Sequence, residues 1–238
     1  MSSGDAPGFP VHLTDAGSYR LTGNLDVSQQ TNPADVSAIV VTSSFVTLDL
    51  NGFSLVGPTL CTGSPISSCA PTGSGNGIDS SSANMVRIAN GVVRGFGHYG
   101  IVAANASVER VQAFNNALTG VWLAFGGAIS DSAASENGSD GFAGAGVLIS
   151  SSRALANRLS GIYLYPGEAR DCEAVGNGAI GIHVGAGLAH GNVARNNVGC
   201  AIDAPSGGYA RNAVYGTSTL CDGTELGQNL CNGSDVCP

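Results

Sequence analysis

The sequence predicts an all-β solenoid, one chain wound into stacked coils of about twenty residues, and three observations predict it. Asparagine recurs at a fixed interval, at Asn116, Asn137, Asn157, Asn177 and Asn197, which stand 21, 20, 20 and 20 residues apart. Four residues after each comes a small residue and then an apolar one: Gly120-Val121, Gly141-Phe142, Gly161-Ile162, Gly181-Ile182 and Ala201-Ile202. The composition suits short strands and tight corners, with 36 glycines in 238 residues and 11% charged residues, against about 25% in an ordinary globular domain. A period this short, without helical spacing of its apolar residues, does not accommodate a two-helix repeat. In a solenoid each period position stacks on itself at the strand spacing of about 4.8 Å, so every position becomes a vertical column. Asparagine suits such a column at a corner, because it tolerates left-handed backbone and its amide donates and accepts along the stack.

The elements follow in chain order. Residues 1–37 are expected to cap the open end of the coils, where strand edges would otherwise be exposed. Coils, about eight or nine in all, fill 38–216, interrupted by a loop at 58–75 rich in Gly, Ser, Pro and Thr. Strand alternation points Val121, Leu123, Ile162, Leu164, Ile182, Val184 and Ile202 inward. The second apolar stretch of each coil adds Val108, Ile129, Ile149, Ala169 and Ala189, and an alanine column, Ala113, Ala134, Ala154, Ala174 and Ala194, precedes the asparagines. Small residues inside imply a narrow coil. Val111, Ser132, Ser152, Cys172 and Asn192 form another inward column, which makes Cys172 a buried small side chain rather than a nucleophile. At 217–238 the repeat stops and a cysteine-rich cap closes a single domain.

Charge and cysteine usage bound the partners. A net charge of -8 repels phosphate backbones and anionic lipid, so nucleic acid and membrane surfaces are poor partners. No apolar run approaches the roughly 18 residues of a spanning helix. Seven cysteines point to an oxidising compartment, secreted, periplasmic or at the cell surface, although MSSGDAPGFP has neither the basic nor the apolar region of a signal peptide. Cys61 and Cys69 bracket CTGSPISSC as a disulfide would, and further pairs come from Cys200, Cys221, Cys231 and Cys237, leaving Cys172 free. No CxxC pair supports zinc. No cofactor is expected; the one alternative is Ca²⁺ held by oxygens of NGSDG at 137–141 or NGSD at 232–235, neither of which is an EF-hand loop. Nothing in the sequence sets the oligomeric state.

Between the two inward residues of each coil's first strand lies an outward one, which gives the column Val102, Trp122, Ala143, Tyr163, His183 and Asp203. It holds the only tryptophan. Aromatic rings bind the apolar faces of sugars, and a carboxylate on the next coil can orient an imidazole. Tyr163, His183 and Asp203 are therefore the candidate catalytic residues. Trp122, Tyr165, Arg170 and His190 are the candidate substrate-binding residues, the last two forming an adjacent-coil pair in another column near a corner. The plainer alternative is a solvated strand face that displays large side chains. Asp131 and Asp171 share a period position two coils apart, with Ser151 between them, and read as solvated turn acids rather than as a glycosidase pair. His98 and Tyr99 stand about where the column asparagine would fall and read as an irregular coil.

These residues resemble the parallel β-helix repeat of the pectin-lyase-like superfamily, whose units run as a Gly-Ile-x-Leu strand, a short polar turn and a second strand ending in Asn. The likeness covers about 77–216 and, more loosely, GSYRLTGNLDV and FVTLDLNGFSLVG, which look like the opening turns of bacterial right-handed β-helix proteins, where an Asn-Gly such as Asn51-Gly52 closes a strand. It implies a right-handed coil with a carbohydrate polymer along an outer face. In the superfamily's lyases and epimerases, Tyr or His removes the proton α to a carboxylate, a chemistry that also needs a cation or amide to neutralise the uronate. The sequence lacks the Asp-Pro-His-Asp of mannuronan epimerases, the paired Asp-Asp of polygalacturonases and the Trp-x-Asp-His of pectate lyases. The expectation is thus an extracellular β-helix that engages an extended polysaccharide along the outward column. A uronate lyase or epimerase-like enzyme, and a purely structural β-helix without a glycan ligand, are the alternatives.

Overall fold

Runs of three or four residues with alternating apolar side chains are too short for anything but a strand, and most corners between them are Gly, Asn, Asp or Ser. The computed structural model, which describes residues 8–216, 219–234 and 237, stacks these runs into coils. Each strand of the coils pairs in parallel with its equivalent one coil on, and the only helical turn among the described residues is Pro33–Asp35. Parallel strands joined by crossovers wind right-handed, and the chain forms a right-handed parallel β-helix.

Three walls enclose the core. The first is a nine-stranded sheet running from Val11–Leu13 through Ile39–Val41, Ile78–Ser80, Ile101–Ala103, Val121–Leu123, Phe142–Gly144, Ile162–Leu164 and Ile182–Val184 to Ile202–Asp203. The second includes Gly127–Ser130, Val147–Ser150, Gly167–Arg170 and Gly187–His190; the third includes Ala133–Ser135, Arg153–Leu155, Glu173–Val175 and Val193–Arg195. The second apolar stretch, read from the sequence as one strand per coil, is therefore two. The residue between them, Asp131, Ser151, Asp171, Gly191 or Arg211, is left-handed, with φ of 50°, 48°, 53°, 69° and 55°, and it turns the chain while apolar residues continue on both sides. All the residues assigned inward by alternation, from Val108 and Val121 to Ile202, are fully buried, as is the alanine column.

The asparagine amides bond along the column as expected, but the asparagine is not the left-handed residue of the corner. Asn116, Asn137, Asn157, Asn177 and Asn197 are buried, and the left-handed residue is the one before each of the first three, Asn115, Glu136 and Ala156, then Gly176 and Asn196. The asparagine supplies hydrogen bonds rather than backbone conformation. Asn157 Nδ2 donates to Ala134 O (3.1 Å) and to Asn177 Oδ1 (3.0 Å), while its Oδ1 accepts from the backbone N–H (3.1 Å) and Nδ2 (2.9 Å) of Asn137. Each amide thus satisfies the corner N–H of the preceding coil, a group that would be costly to bury unpaired. The glycine four residues on is set by the same column, since a Cβ on Gly161 would lie 2.7 Å from Asn177 Nδ2. At the start of the column Phe96 N–H donates to Asn116 Oδ1, so Phe96, not His98 or Tyr99, holds the equivalent place in the coil before.

A second amide column continues the inward row of Ser132, Ser152 and Cys172. Cys172 N–H donates to Asn192 Oδ1, Asn192 N–H to Asn212 Oδ1, and Asn212 N–H to Asn229 Oδ1. The last step spans 17 residues, and parallel pairing accordingly runs past 217, with Thr224–Glu225 on Gly208–Ala210 and Leu230–Cys231 on Ala213–Tyr215. At the other end Val11–Leu13 and Gly17–Arg20 already pair in parallel with the next coil. Three disulfides form, Cys61–Cys69, Cys200–Cys221 and Cys231–Cys237, and Cys172 remains a buried thiol. Within the 58–75 loop, Leu60–Gly63 and Ile66–Ala70 make an antiparallel hairpin that rests on the corner before the first wall, where Asn115 Oδ1 accepts from Cys61 N–H (3.1 Å).

Candidate functional site

Strand register puts one outward column along the whole first wall. His12, Val40, Asp79, Val102, Trp122, Ala143, Tyr163, His183 and Asp203 are partners in turn. The six residues expected in this column are all there, but its small members, Val102 and Ala143, are buried between larger neighbours.

At the upper end the coil rise brings the candidate catalytic residues into contact. Rings on consecutive coils are held near the strand spacing, which is also a stacking distance. Tyr163 and His183 stack accordingly, with ring centroids 4.6 Å apart and planes at 13°. His183 Nδ1 meets Asp203 Oδ2 at 2.7 Å. An ionised carboxylate only accepts, so Nδ1 carries the proton and Nε2 is the free ring nitrogen. The pair is well covered, with 12% and 15% of the two side chains exposed, because Tyr163 lies on the imidazole and the following coil, bridged at Ile202 and Leu220, lies over Asp203. Tyr163 itself remains exposed. Tyr165 is also exposed and its ring lies over Gly185, where any Cβ would fall 1.8 Å from Tyr165 Cδ2.

Arg170 and His190 are adjacent-coil partners, yet they stand on the second wall, and Arg170 pairs with Glu168 there. The structure does not bring them to the column. Asp131 and Asp171 are left-handed corner residues. In the 137–141 segment both amide atoms of Asn137 are committed to the asparagine column. Asp140 Oδ1 accepts from Ser160 N–H at 2.9 Å, and burial pushes its carboxyl above the usual range. Asp235 of the NGSD segment lies outside the described residues. No cluster of three or more His, Cys, Asp or Glu capable of holding a metal occurs among the described residues. Burial pushes the Cys172 thiol up to about 11, which leaves it protonated and unreactive at neutral pH.

A second polar and aromatic cluster sits in the lower half of the same wall, from its third to its fifth strand. Asn76 Oδ1 accepts from Tyr99 N–H (3.1 Å) and contacts His98 Nδ1 (3.1 Å), while Asn76 Nδ2 donates to Asp79 Oδ2 (3.2 Å). The His98 and Tyr99 rings meet edge to face at 4.3 Å, and Tyr99 is tilted against Trp122 at 4.8 Å. Burial holds His98 below its ordinary pKa, against the opposing pull of Asp79, and raises Tyr99. The usable signal was Ile78-Asp79-Ser80, which carries the same in-out-in pattern as Ile101-Val102-Ala103.

No protein-family model and no curated protein matches the chain by sequence. Solved structures match by shape. The A-module of mannuronan C-5 epimerase AlgE4 from Azotobacter vinelandii aligns over 95% of this chain and 85% of its own, with a TM-score of 0.52 and 14% identity. Pectate lyase Pel9A aligns over 94% and 72%, with a TM-score of 0.53 and 14% identity. The Dettilon tailspike protein aligns over 92% of this chain but only 55% of its own, with a TM-score of 0.58 and 12% identity. At these identities the likeness is one of fold, that of a right-handed parallel β-helix.

Proposed function

We propose that this β-helix acts outside the reducing cytosol and engages an extended polysaccharide along the first wall, with Trp122 and Tyr163 as stacking surfaces and His183–Asp203 as the polar contact. The observation that carries the reading is the ordered column itself, a tyrosine stacked on a histidine that is hydrogen-bonded to an aspartate, in line with the chain's only tryptophan. Aromatic faces pack on the C–H faces of sugars, and the polar pair reads hydroxyls. Three disulfides support the compartment. The fold neighbours named as a mannuronan epimerase and a pectate lyase support a glycan as the ligand class. The reading requires no cofactor.

The His183–Asp203 pair also favours a catalytic form of the same reading. Asp203 fixes the tautomer, so His183 Nε2 can take a proton while the Tyr163 hydroxyl delivers one. The test is incubation with alginate, pectate, glycosaminoglycans and neutral β-glucan and β-mannan, following binding, unsaturated-uronate absorbance, reducing ends and epimerisation. Turnover abolished by His183→Ala in a folded protein supports catalysis. Binding without turnover, weakened by Trp122→Ala or Tyr163→Ala, supports a binding module. Binding unaffected by all three substitutions refutes this wall as the site.

A further inference from the structure

All nine cationic residues of the chain are arginines. None lies in any strand of the first wall. On the second and third walls Arg87 pairs with Glu109, Arg170 with Glu168, and both Arg153 and Arg195 with Glu173. The first wall instead carries carboxylates, Asp79 low in the column and Asp203 at its top. The one arginine in a corner leading directly into its strands is Arg158, which is exposed. A polymer of uronates, with a negative charge on each sugar, would face like charge both low in this column and at its top.

The lower cluster has a defined hydrogen-bond polarity. Asn76 is oriented from both sides, its Oδ1 taking the Tyr99 N–H and its Nδ2 giving to Asp79 Oδ2. The atom facing His98 Nδ1 is therefore an acceptor, so Nδ1 carries the proton and Nε2 presents a lone pair. Ser80 Oγ is the only buried polar side-chain atom without a partner among the described residues, so Nε2, which also has no partner among them, is reachable by solvent. Burial keeps the ring neutral at neutral pH. Asp79 is engaged on both oxygens, its Oδ2 by Asn76 and its Oδ1 by the N–H (3.0 Å) and hydroxyl (2.7 Å) of Ser81.

We propose that His98, Tyr99 and Trp122 form a second glycan subsite in the lower half of the first wall and that the wall takes uncharged sugars, a sugar hydroxyl donating to His98 Nε2 while the sugar ring stacks on Trp122. Asp79 locks Asn76, and through it the His98 tautomer, and its charge disfavours acidic sugars. The inference rests on the polysaccharide reading above and narrows it, because a neutral glycan has no carboxylate to be neutralised. It sets the wall apart from uronate lyases and epimerases, whose chemistry needs that neutralisation.

The experiment is calorimetric binding of the whole chain to neutral hexose oligomers (β-glucan and β-mannan hexamers) and to oligomannuronate and oligogalacturonate of equal length. Neutral oligomers are expected to bind at least about tenfold more tightly than uronates. His98→Ala should cost about tenfold for the neutral oligomers, the equivalent of one lost hydrogen bond, with His98→Gln recovering part of it. Asp79 and Tyr99 are the titratable groups facing His98, and Asp35, bound to Ser74 N–H, stands behind the adjoining loop. Neutral-glycan affinity should fall as acid protonates Nε2, and the His98→Gln protein should lose that dependence. Uronates bound as tightly as neutral oligomers, or bound through Arg158 as judged by Arg158→Ala, overturn the inference and leave the polysaccharide reading standing. Neutral binding unchanged in His98→Ala overturns the subsite. Binding of no glycan overturns the polysaccharide reading and this inference with it. Far-UV spectra and urea midpoints of each variant separate these outcomes from misfolding.

Discussion

Asn177→Leu tests the hydrogen-bonding column at its centre with a side chain of nearly the same shape. Asn177 is fully buried; its Oδ1 accepts from Asn157 N–H (3.0 Å) and Asn157 Nδ2 (3.0 Å), and its Nδ2 donates to Ala154 O (3.2 Å) and Asn197 Oδ1 (2.9 Å). Leucine removes all four bonds and strands two buried donors, the Asn157 backbone N–H and one of its amide hydrogens. Each buried orphan costs about 1–3 kcal/mol, or about 2–6 kcal/mol together. Leucine returns about 1.5–3 kcal/mol of apolar burial, while its larger methyls press on Gly161 at a strain of about 1–3 kcal/mol. The expected net loss is about 2–4 kcal/mol, a large share of the roughly 5–15 kcal/mol that holds a typical domain. Urea unfolding followed by circular dichroism measures it, and hydrogen exchange at Asn157 reports the orphaned N–H directly. A loss below about 1 kcal/mol, with Asn157 still protected, would refute the column as a stabilising element.

Other substitutions probe separate parts of the structure. Gly161→Ala places a Cβ 2.6 Å from Gly181 O and 2.7 Å from Asn177 Nδ2, and should lower stability by about 1–3 kcal/mol in the same urea assay; a neutral result contradicts the close approach. The Cys172 thiol, raised to about 11 by burial, should resist iodoacetamide in the native protein and account for one reactive thiol after denaturation without reductant. A second thiol in that assay would break the disulfide assignment. Burial raises the native pKa of Asp140 above its unfolded value, so its contribution is present at low pH and is lost as pH rises through the native pKa. Asp140→Asn, which keeps the acceptor for Ser160 N–H, should therefore flatten the decline in Tm above the usual carboxylate range of about 4; an unchanged slope locates the effect elsewhere.

The coil was legible because stacking turns one structural role into one residue type at one interval. Asn137, Asn157 and Asn177 must be asparagine to bond along the column, and Gly141, Gly161 and Gly181 must be glycine to leave those amides room. The corner at Asp131, Ser151 and Asp171 was not legible, since a left-handed residue there needs no particular side chain and apolar residues continue across it. The upper end of the site was readable for the same reason as the fold: Tyr163, His183 and Asp203 keep strict register. Their low exposure was not, because it comes from ring stacking and from a coil beyond the visible repeat. The lower cluster was hidden by the 58–75 loop. It makes Ile39 and Ile78 partners 39 residues apart, and the next coil, from Ile78 to its partner Ile101, also exceeds the period at 23 residues, so the sequence reads His98 as an irregularity.

The central claim is that glycans meet the first wall, and the chain carries its own reporter there, since Trp122 is the only tryptophan and is partly exposed in the column. Intrinsic tryptophan fluorescence, titrated with a neutral hexose oligomer beside calorimetry on the same samples, tests the claim directly. The account predicts a saturable change in emission whose midpoint matches the calorimetric Kd, weakened in the Tyr163→Ala protein. Calorimetric binding with unchanged Trp122 emission would place the glycan on another surface and contradict the account.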